Sequence, residues 1–206
     1  MDATRTTVGR RLDGKVMNRL DLTRRLTARL THGEIVVGGI GNANFDLVEA
    51  GRRPENFYML GSMGLAVPIG LGLALAQPQR RVFVLEGDGS LLMSMGCLAT
   101  VAMVAPPNLS MIAWDNGLYQ ITGNQPAATA ETTDLVAVAR AAGISRSAWA
   151  RDEDDYERLV VQVLREGGPH FIGARVDGSP GAGRPERDPV IVKDRFMRAL
   201  GLKPDR

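Results

Sequence analysis

Six short apolar runs punctuate this chain, and helical spacing fills the intervals between them. EIVVGG (34–39), NFYML (56–60), RVFVLE (81–86) and NLSMIAWD (108–115) read as strands, with two more near 144–148 and 170–176. Between them, helices are expected over 15–30, 43–50, 64–77, 90–104, 132–142 and 153–166, and a short amphipathic one over 189–201. Pro68 falls in or near the first turn of its helix, where proline is tolerated. Strands separated by helices imply a mostly parallel sheet covered on both faces, so the expected class is α/β with three α/β/α layers. On this reading residues 1–14 form a flexible tail and 15–176 one domain. Residues 177–206 are a Gly/Pro stretch, DGSPGAGRP, followed by the last helix.

A chain of 206 residues with 44% hydrophobic content has enough material for one such domain and is short for two. Aromatic residues make up only 5% and net charge is +2, which gives no case for a nucleic-acid partner. Arg10, Arg11, Lys15, Arg19, Arg24, Arg25 and Arg29 fall in a helix-like pattern and read as a solvated helix face. The single cysteine, Cys97, lies in an apolar helical run, which excludes an intrachain disulfide framework and fits a reducing compartment. The polar, basic start lacks the apolar core of a signal peptide, and no apolar run reaches a membrane span. A cytoplasmic protein with no membrane partner is expected.

In open parallel sheets ligands bind beyond the carboxyl ends of the strands, so the loops after the strands carry the functional information. The first, GGIGNAN (38–44), is a partial dinucleotide fingerprint, Gly39-x-Gly41-x-x-Asn44, without its third glycine. Asn42 or Asn44 could touch a phosphate there, or the loop could be a plain turn. The second, LGSMG (60–64), has glycines that let backbone approach a ligand. The third, GDGS (87–90), opens a helix whose free N–H groups suit a phosphate, although Asp88 would repel one. A divalent cation removes that conflict, because magnesium bridges carboxylates to phosphates through hard oxygen ligands. The fourth, DNGLY (115–119), lies one helix and one strand beyond the third, so Asp88 and Asn116 are expected at the ends of adjacent or near-adjacent strands. The Asn116 side-chain oxygen and the Leu118 carbonyl could then complete a metal–diphosphate site. Taken singly, Asp88 could be a helix cap and Asn116 a turn residue.

Gly-Asp-Gly followed by a helix, a strand and an asparagine resembles the fingerprint of the diphosphate-binding (PP) domain of thiamin diphosphate enzymes. The resemblance runs from about residue 15 to 176. GSMG, VFVLEGDGSLLMSMGCLATVA and DNGLYQITGNQPA are most similar to the sulfopyruvate decarboxylase beta subunits and the matching half of phosphonopyruvate decarboxylases. The resemblance implies that Asp88, the Asn116 side chain and the Leu118 carbonyl bind Mg²⁺. It implies that Gly89 and Ser90, beside Gly87 and with Asn42, meet the diphosphate. It further implies that the Gly61 carbonyl accepts from the aminopyrimidine, and that Met63 wedges under the bent cofactor, with Ser62 and Tyr119 beside it.

In this family a glutamate on a separate pyrimidine-binding (PYR) domain activates the cofactor. Glu34, Glu49 and Glu86 lie in or beside the diphosphate half and do not replace it. No catalytic residue is therefore expected in this chain. The implied protein is the PP subunit of a two-chain, α₂β₂ decarboxylase acting on a small 2-oxo acid with thiamin diphosphate and Mg²⁺. Alternatives are the PP half of an acetolactate-type carboligase, that of a 2-oxo acid or aldehyde oxidoreductase, and a non-catalytic cofactor-binding homo-oligomer. Two features depart from the pattern. Tyr119-Gln120-Ile121-Thr122 stands where relatives often carry small residues, and no arginine is evident to clamp a sulfonate or phosphonate. His32 and His170 fall outside the motifs and read as structural or surface residues.

Overall fold

The computed structural model describes residues 14–203. Residues 1–13, nearly all of the segment read as a tail and including Arg10 and Arg11, lie outside the described residues. The elements run α1 (Arg19–Thr27), β1 (Ile35–Gly38), α2 (Asn42–Ala50), β2 (Asn56–Tyr58), α3 (Ala66–Ala76), β3 (Val82–Gly87), α4 (Asp88–Leu92), α5 (Cys97–Val104) and β4 (Leu109–Asp115). They continue β5 (Leu118–Tyr119), β6 (Gln125–Pro126), α6 (Leu135–Ala141), β7 (Arg146–Ala150), α7 (Glu153–Arg165), β8 (His170–Arg175) and α8 (Pro189–Ala199). Six strands pair in the order β2-β1-β3-β4-β8-β7, and every pairing in that sheet is parallel.

Alternation along the strands produces the layers. Ile35 and Val37, Val82 and Val84, and Met111 and Ala113 face one core, closed by α3, α5, α6 and α8. Val36, Phe83 and Leu85, and Ile112 and Trp114 face the other, closed by α1, α2 and α7. Both faces are buried, so these strands are continuously apolar. The three-layer α/β/α class expected from the sequence is the observed one.

Helix ends follow local chemistry. The Asn18, Asp134, Asp152 and Asp188 side chains each accept a backbone N–H from the first turn of α1, α6, α7 and α8, and Pro189 occupies the first turn of α8. The first helix starts later than its periodicity suggests. Met17 instead makes a parallel bridge to Val176, donating its N–H to Arg175 and accepting from Asp177, which holds the preceding backbone extended until Asn18 caps the helix. The single helix expected over 90–104 is two, α4 and α5. Between them Met93–Gly96 tighten into turns bonded three residues back, such as Ser94 N–H to the Leu91 carbonyl. That turn lies against Gly64 (φ +83°), where a Cβ would come within 2.7 Å of Ser94 Cβ, so the loop after β2 packs directly on the break.

The basic residues near the start do not all lie on a solvated face. Lys15 pairs with Glu153, and Arg25 and Arg29 with Glu157, all at least partly exposed. Arg19 is an exception. It is 3% exposed, its Nε donates to Asp46 Oδ2 at 2.7 Å, and its Nη2 donates to the Ser179 carbonyl at 2.8 Å. Asp46 Oδ1 accepts the N–H of Ala182. Residues 177–188 contain no helix or strand, yet 177–183 form a strap fastened at each end of this ion pair. From there the chain reaches the opposite edge of the sheet, where Phe196 of α8 meets Phe57 of β2 at 5.1 Å between ring centroids. His32 is an exposed surface residue bonded to Glu55, and His170 is 4% exposed at the start of β8, where burial lowers its pKa. Among the described residues no helix is long and apolar enough to cross a membrane.

Removing one partner of a buried ion pair leaves the other charge uncompensated. Asp46→Ala is expected to destabilise the chain by about 3–5 kcal/mol, read as a lower urea midpoint at unchanged slope. Arg24→Ala, on the exposed side of the helix that carries Arg19, should change the stability by less than about 0.5 kcal/mol.

Candidate functional site

The chain winds outward from β1 to β2, then returns to place β3 on the other side of β1. The loops after β1 and β3 therefore diverge and leave a crevice at the carboxyl end of the sheet. A cleft of about 110 Å³ opens there, extended by the loop after β4. Asn42, Met63, Gly87, Asp88, Gly89, Ser90, Asn116, Leu118 and Tyr119 all line it. Gly61 and Ser62 do not. They lie exposed on the loop beside it, and Ser62 holds the left-handed conformation (φ +63°) that turns the chain toward Met63.

Gly87 pairs with Trp114 across β3 and β4, so Asp88 and Asn116 follow neighbouring strand ends. Asp88 is 2% exposed. Its Oδ2 accepts the N–H of Gly117 at 3.1 Å and the hydroxyl of Thr129 at 2.5 Å. Asp115 is equally buried and accepts the same Gly117 N–H at 3.1 Å through Oδ1. Burial, with a contribution from the neighbouring Asp115 charge, pushes Asp88 up to about 6. Burial also raises Asp115, against the pull of Arg175, whose Nη1 stands 3.4 Å from Asp115 Oδ2. Among the described residues no basic side chain forms an ion pair with Asp88. Two carboxylates thus share a dry corner with one guanidinium behind them.

The remaining polar groups are committed in ways that decide what they can still do. Asn116 Oδ1 accepts the N–H of Leu118 at 2.9 Å, and its Nδ2 donates to Gln120. Asn42 donates to Gln120 and accepts from Gly181, so both ends of its amide are engaged within the protein. The Ser90 hydroxyl accepts the N–H of Gly64 at 2.8 Å; the Ser90 backbone N–H, in the first turn of α4, has no partner inside the helix because of its position. Gly89 is overlain by the Tyr119 ring, since a Cβ there would lie 2.6 Å from Cε1, and only glycine permits that approach. Asn44 is turned away from the cleft. It is buried and donates to the Met59 carbonyl at 2.6 Å, which fixes the 59–64 loop.

Glu86 does not reach the cleft either. It is buried behind Asp88, accepts the N–H of Ala66 at 3.2 Å, and burial lifts it to about 7. Four participants carry no motif: Thr129, Gln120, Arg175 and Arg19. Thr129 and Arg175 approach through tertiary folding alone. Gln120 lies in the β5–β6 hairpin, whose two-residue strands are too short to register as periodicity. Arg19 contributes to the cleft wall, but its guanidinium is held by Asp46 and Ser179.

The raised pKa of Asp88 has a stability consequence. The folded state binds more protons than the unfolded chain between the ordinary aspartate pKa and about 6, so the ligand-free protein loses stability as pH rises through that window. The expected loss is on the order of 2–3 kcal/mol. Asp88→Asn should lessen this slope in urea denaturation measured from pH 4 to 7, the remainder belonging to the raised Glu86 and Asp115, and should leave the variant at least as stable as the parent at pH 7.

Comparison with known proteins places these features in context. Residues 39–174 match the family model described as thiamine pyrophosphate enzyme, C-terminal TPP binding domain. The chain is 36% identical over 183 residues to sulfopyruvate decarboxylase subunit beta of Methanocaldococcus jannaschii, covering 88% of this chain and 96% of that protein. It is 38% identical over 188 residues to phosphonopyruvate decarboxylase of Streptomyces viridochromogenes, covering 90% of this chain but only 47% of that one. Its fold resembles the thiamine diphosphate-dependent 4-hydroxybenzoylformate decarboxylase of Rhodococcus jostii, with a TM-score of 0.69 at 21% identity, over 80% of this chain and 33% of that chain.

Proposed function

Because the chain belongs to the thiamine pyrophosphate enzymes, as a C-terminal TPP-binding domain, we propose that it is the diphosphate-binding subunit of a two-chain 2-oxo acid decarboxylase. The observation that carries this reading is the convergence of Asp88, Asn116 and Leu118 on one cleft at the ends of two adjacent strands. Similarity along nearly the whole length of a protein named as a beta subunit supports a separate partner. The substrate class, a small 2-oxo acid of the sulfopyruvate or phosphonopyruvate kind, rests on the names of the relatives.

The residues present fit a magnesium–diphosphate group. Among the described residues no three His, Cys, Asp or Glu side chains gather as a metal centre. A cation here would draw on Asp88, the Asn116 amide oxygen and the Leu118 carbonyl, and would take its remaining oxygen ligands from the diphosphate. That mixed set of hard oxygens is the kind Mg²⁺ prefers. The buried Asp88–Asp115 pair lacks a compensating cation at Asp88, and a divalent ion would supply it. Backbone N–H groups of Gly89 and Ser90 would meet the diphosphate. Gly87 and Asn42 shape the wall, the latter through Gln120. The Gly61 carbonyl would accept from the aminopyrimidine, Met63 would support the ring system from below, and Ser62 and Tyr119 would flank it.

Thiamin diphosphate, when bound, supplies the electron sink that decarboxylation of a 2-oxo acid requires. This chain's own part would be to bind and orient it: Asp88 and Asn116 would hold the cation that neutralises the diphosphate, Met63 would support its shape, and Tyr119 and Ile121 would limit water at the mouth. The glutamate that activates the cofactor would come from the partner's pyrimidine-binding domain, since Glu86 is sealed behind the cleft.

Isothermal titration should show Mg²⁺-dependent thiamin diphosphate binding that Asp88→Asn weakens by about 100-fold or more, the loss of a charged ligand in a dry site. Unchanged affinity in that variant, which is expected to remain folded, would sink the assignment. The purified chain alone should turn over sulfopyruvate or phosphonopyruvate negligibly, and addition of a pyrimidine-domain subunit should restore aldehyde and CO₂ release. Turnover by the chain alone that no partner raises would exclude the two-chain reading.

A further inference from the structure

Gln120 stands where three separate segments meet beside the cleft. Its Oε1 accepts from Nδ2 of Asn42 at 2.7 Å and from Nδ2 of Asn116 at 3.0 Å. Its Nε2 donates to the carbonyl of Gly178 in the strap. The strap is tied back to the same cluster, because the N–H of Gly181 donates to Asn42 Oδ1 at 3.1 Å. An amide oxygen has two lone pairs, and here both are used on asparagine amides. No charge participates, and no other described side chain joins the cofactor loop after β4 to both the α2 terminus and the strap.

The chemistry of asparagine makes this junction consequential. Half a turn about its last torsion exchanges an oxygen acceptor for a nitrogen donor of nearly the same shape. Only the oxygen can ligate a cation. With Nδ2 anchored on Gln120 and Oδ1 accepting from the Leu118 N–H, the Asn116 amide has one satisfied orientation, and it keeps the oxygen on the turn whose Leu118 carbonyl is the other neutral ligand.

We propose that Gln120 is a positioning residue that sets the metal-binding orientation of Asn116 and couples the 177–183 strap to occupancy of the cofactor site. The proposal rests on the cofactor reading above and goes beyond it by making the strap part of the site. Linkage is reciprocal while Gln120 bridges the two: through its bonds a cation that stabilises the Asn116 orientation tightens the strap, whereas cutting only the Gly178 bond frees the strap without turning Asn116.

The test uses the full chain with Gln120→Met, Gln120→Glu and, as control, Asp88→Asn. Two quantities are read: the Mg²⁺ dependence of thiamin diphosphate binding, and hydrogen exchange at the Gly181 and Ala182 amides in the ligand-free chain. Gln120→Met removes every bond and should weaken Mg²⁺ about tenfold, the scale of one to two lost hydrogen bonds, while accelerating strap exchange. Gln120→Glu keeps the acceptor for both asparagines but sets a carboxylate against the Gly178 carbonyl. It should hold Mg²⁺ affinity within about threefold of the parent and still accelerate strap exchange, a split that a general loss of packing does not produce.

Unchanged strap exchange in Gln120→Met overturns the coupling whether or not a ligand binds. Unchanged Mg²⁺ dependence in Gln120→Met, with binding lost in Asp88→Asn, overturns the positioning role while the cofactor reading stands. Equal loss of Mg²⁺ affinity in both Gln120 variants also overturns it. Parental binding by Asp88→Asn removes the cofactor reading and this inference with it.

Discussion

β1 and β3 are hydrogen-bonded neighbours although β2 separates them in the chain, and the candidate site depends on that pairing. Gly38 lies opposite Leu85, and the N–H of Gly39 continues the ladder to the Leu85 carbonyl at 2.7 Å. Beyond that point the two chains part in opposite directions, one into α2 and the other into α4. The crevice between them is the consequence of a change in winding direction, and no side chain is needed to open it. Side chains then give it character. The 59–64 loop is held in by Asn44 and by the Ser90 hydroxyl, and the hairpin after β4 closes the far wall with Tyr119 over Gly89.

The electrostatics are unbalanced at the same place. A ligand-free fold that only had to be stable would not set Asp88 and Asp115 together in a dry corner. Arg175 answers one of the two charges, steadied at 5.2 Å over the Trp149 ring. The other is left to Thr129 and backbone N–H groups, which favour the carboxylate without neutralising it. That deficit is local and has the sign a divalent cation cancels, so the strain in the free protein and the proposed metal–phosphate site have one source.

Much of this was legible in the sequence because its signals are local. Strands buried on both faces read as apolar runs, and glycine-bearing turns after them mark where backbone must approach something closely. The Gly-Asp-Gly turn and the Asp-Asn pair could be placed on neighbouring strand ends from the αβ repeat alone. What the sequence hid was long-range or below the length at which periodicity exists. Arg19 shares its helical pattern with solvated arginines, and only Asp46, on another helix, makes it a core residue. Thr129 reaches Asp88 from a short 3₁₀ turn with no motif. The break between α4 and α5 follows from Gly64 packing on Ser94, a contact between separate segments. Met17 left the first helix for a strand-like bridge to Val176, a partner almost the whole fold away.

The strap also bears on the order of assembly. Its bonds to Arg19, Asn42 and Asp46 join residues 160, 139 and 136 positions apart. Loops of that size close late, after the local αβ units have formed. On a chain emerging from its amino end, all six strands precede the strap. The sheet and the mouth of the cleft can therefore form while Arg19 and Asp46 still await their backbone partners and Asn42 its second one. The final bonding of the cleft wall, at Arg19 and Asn42, is then among the last properties the growing polypeptide acquires, and a nascent chain with a complete core does not yet have it.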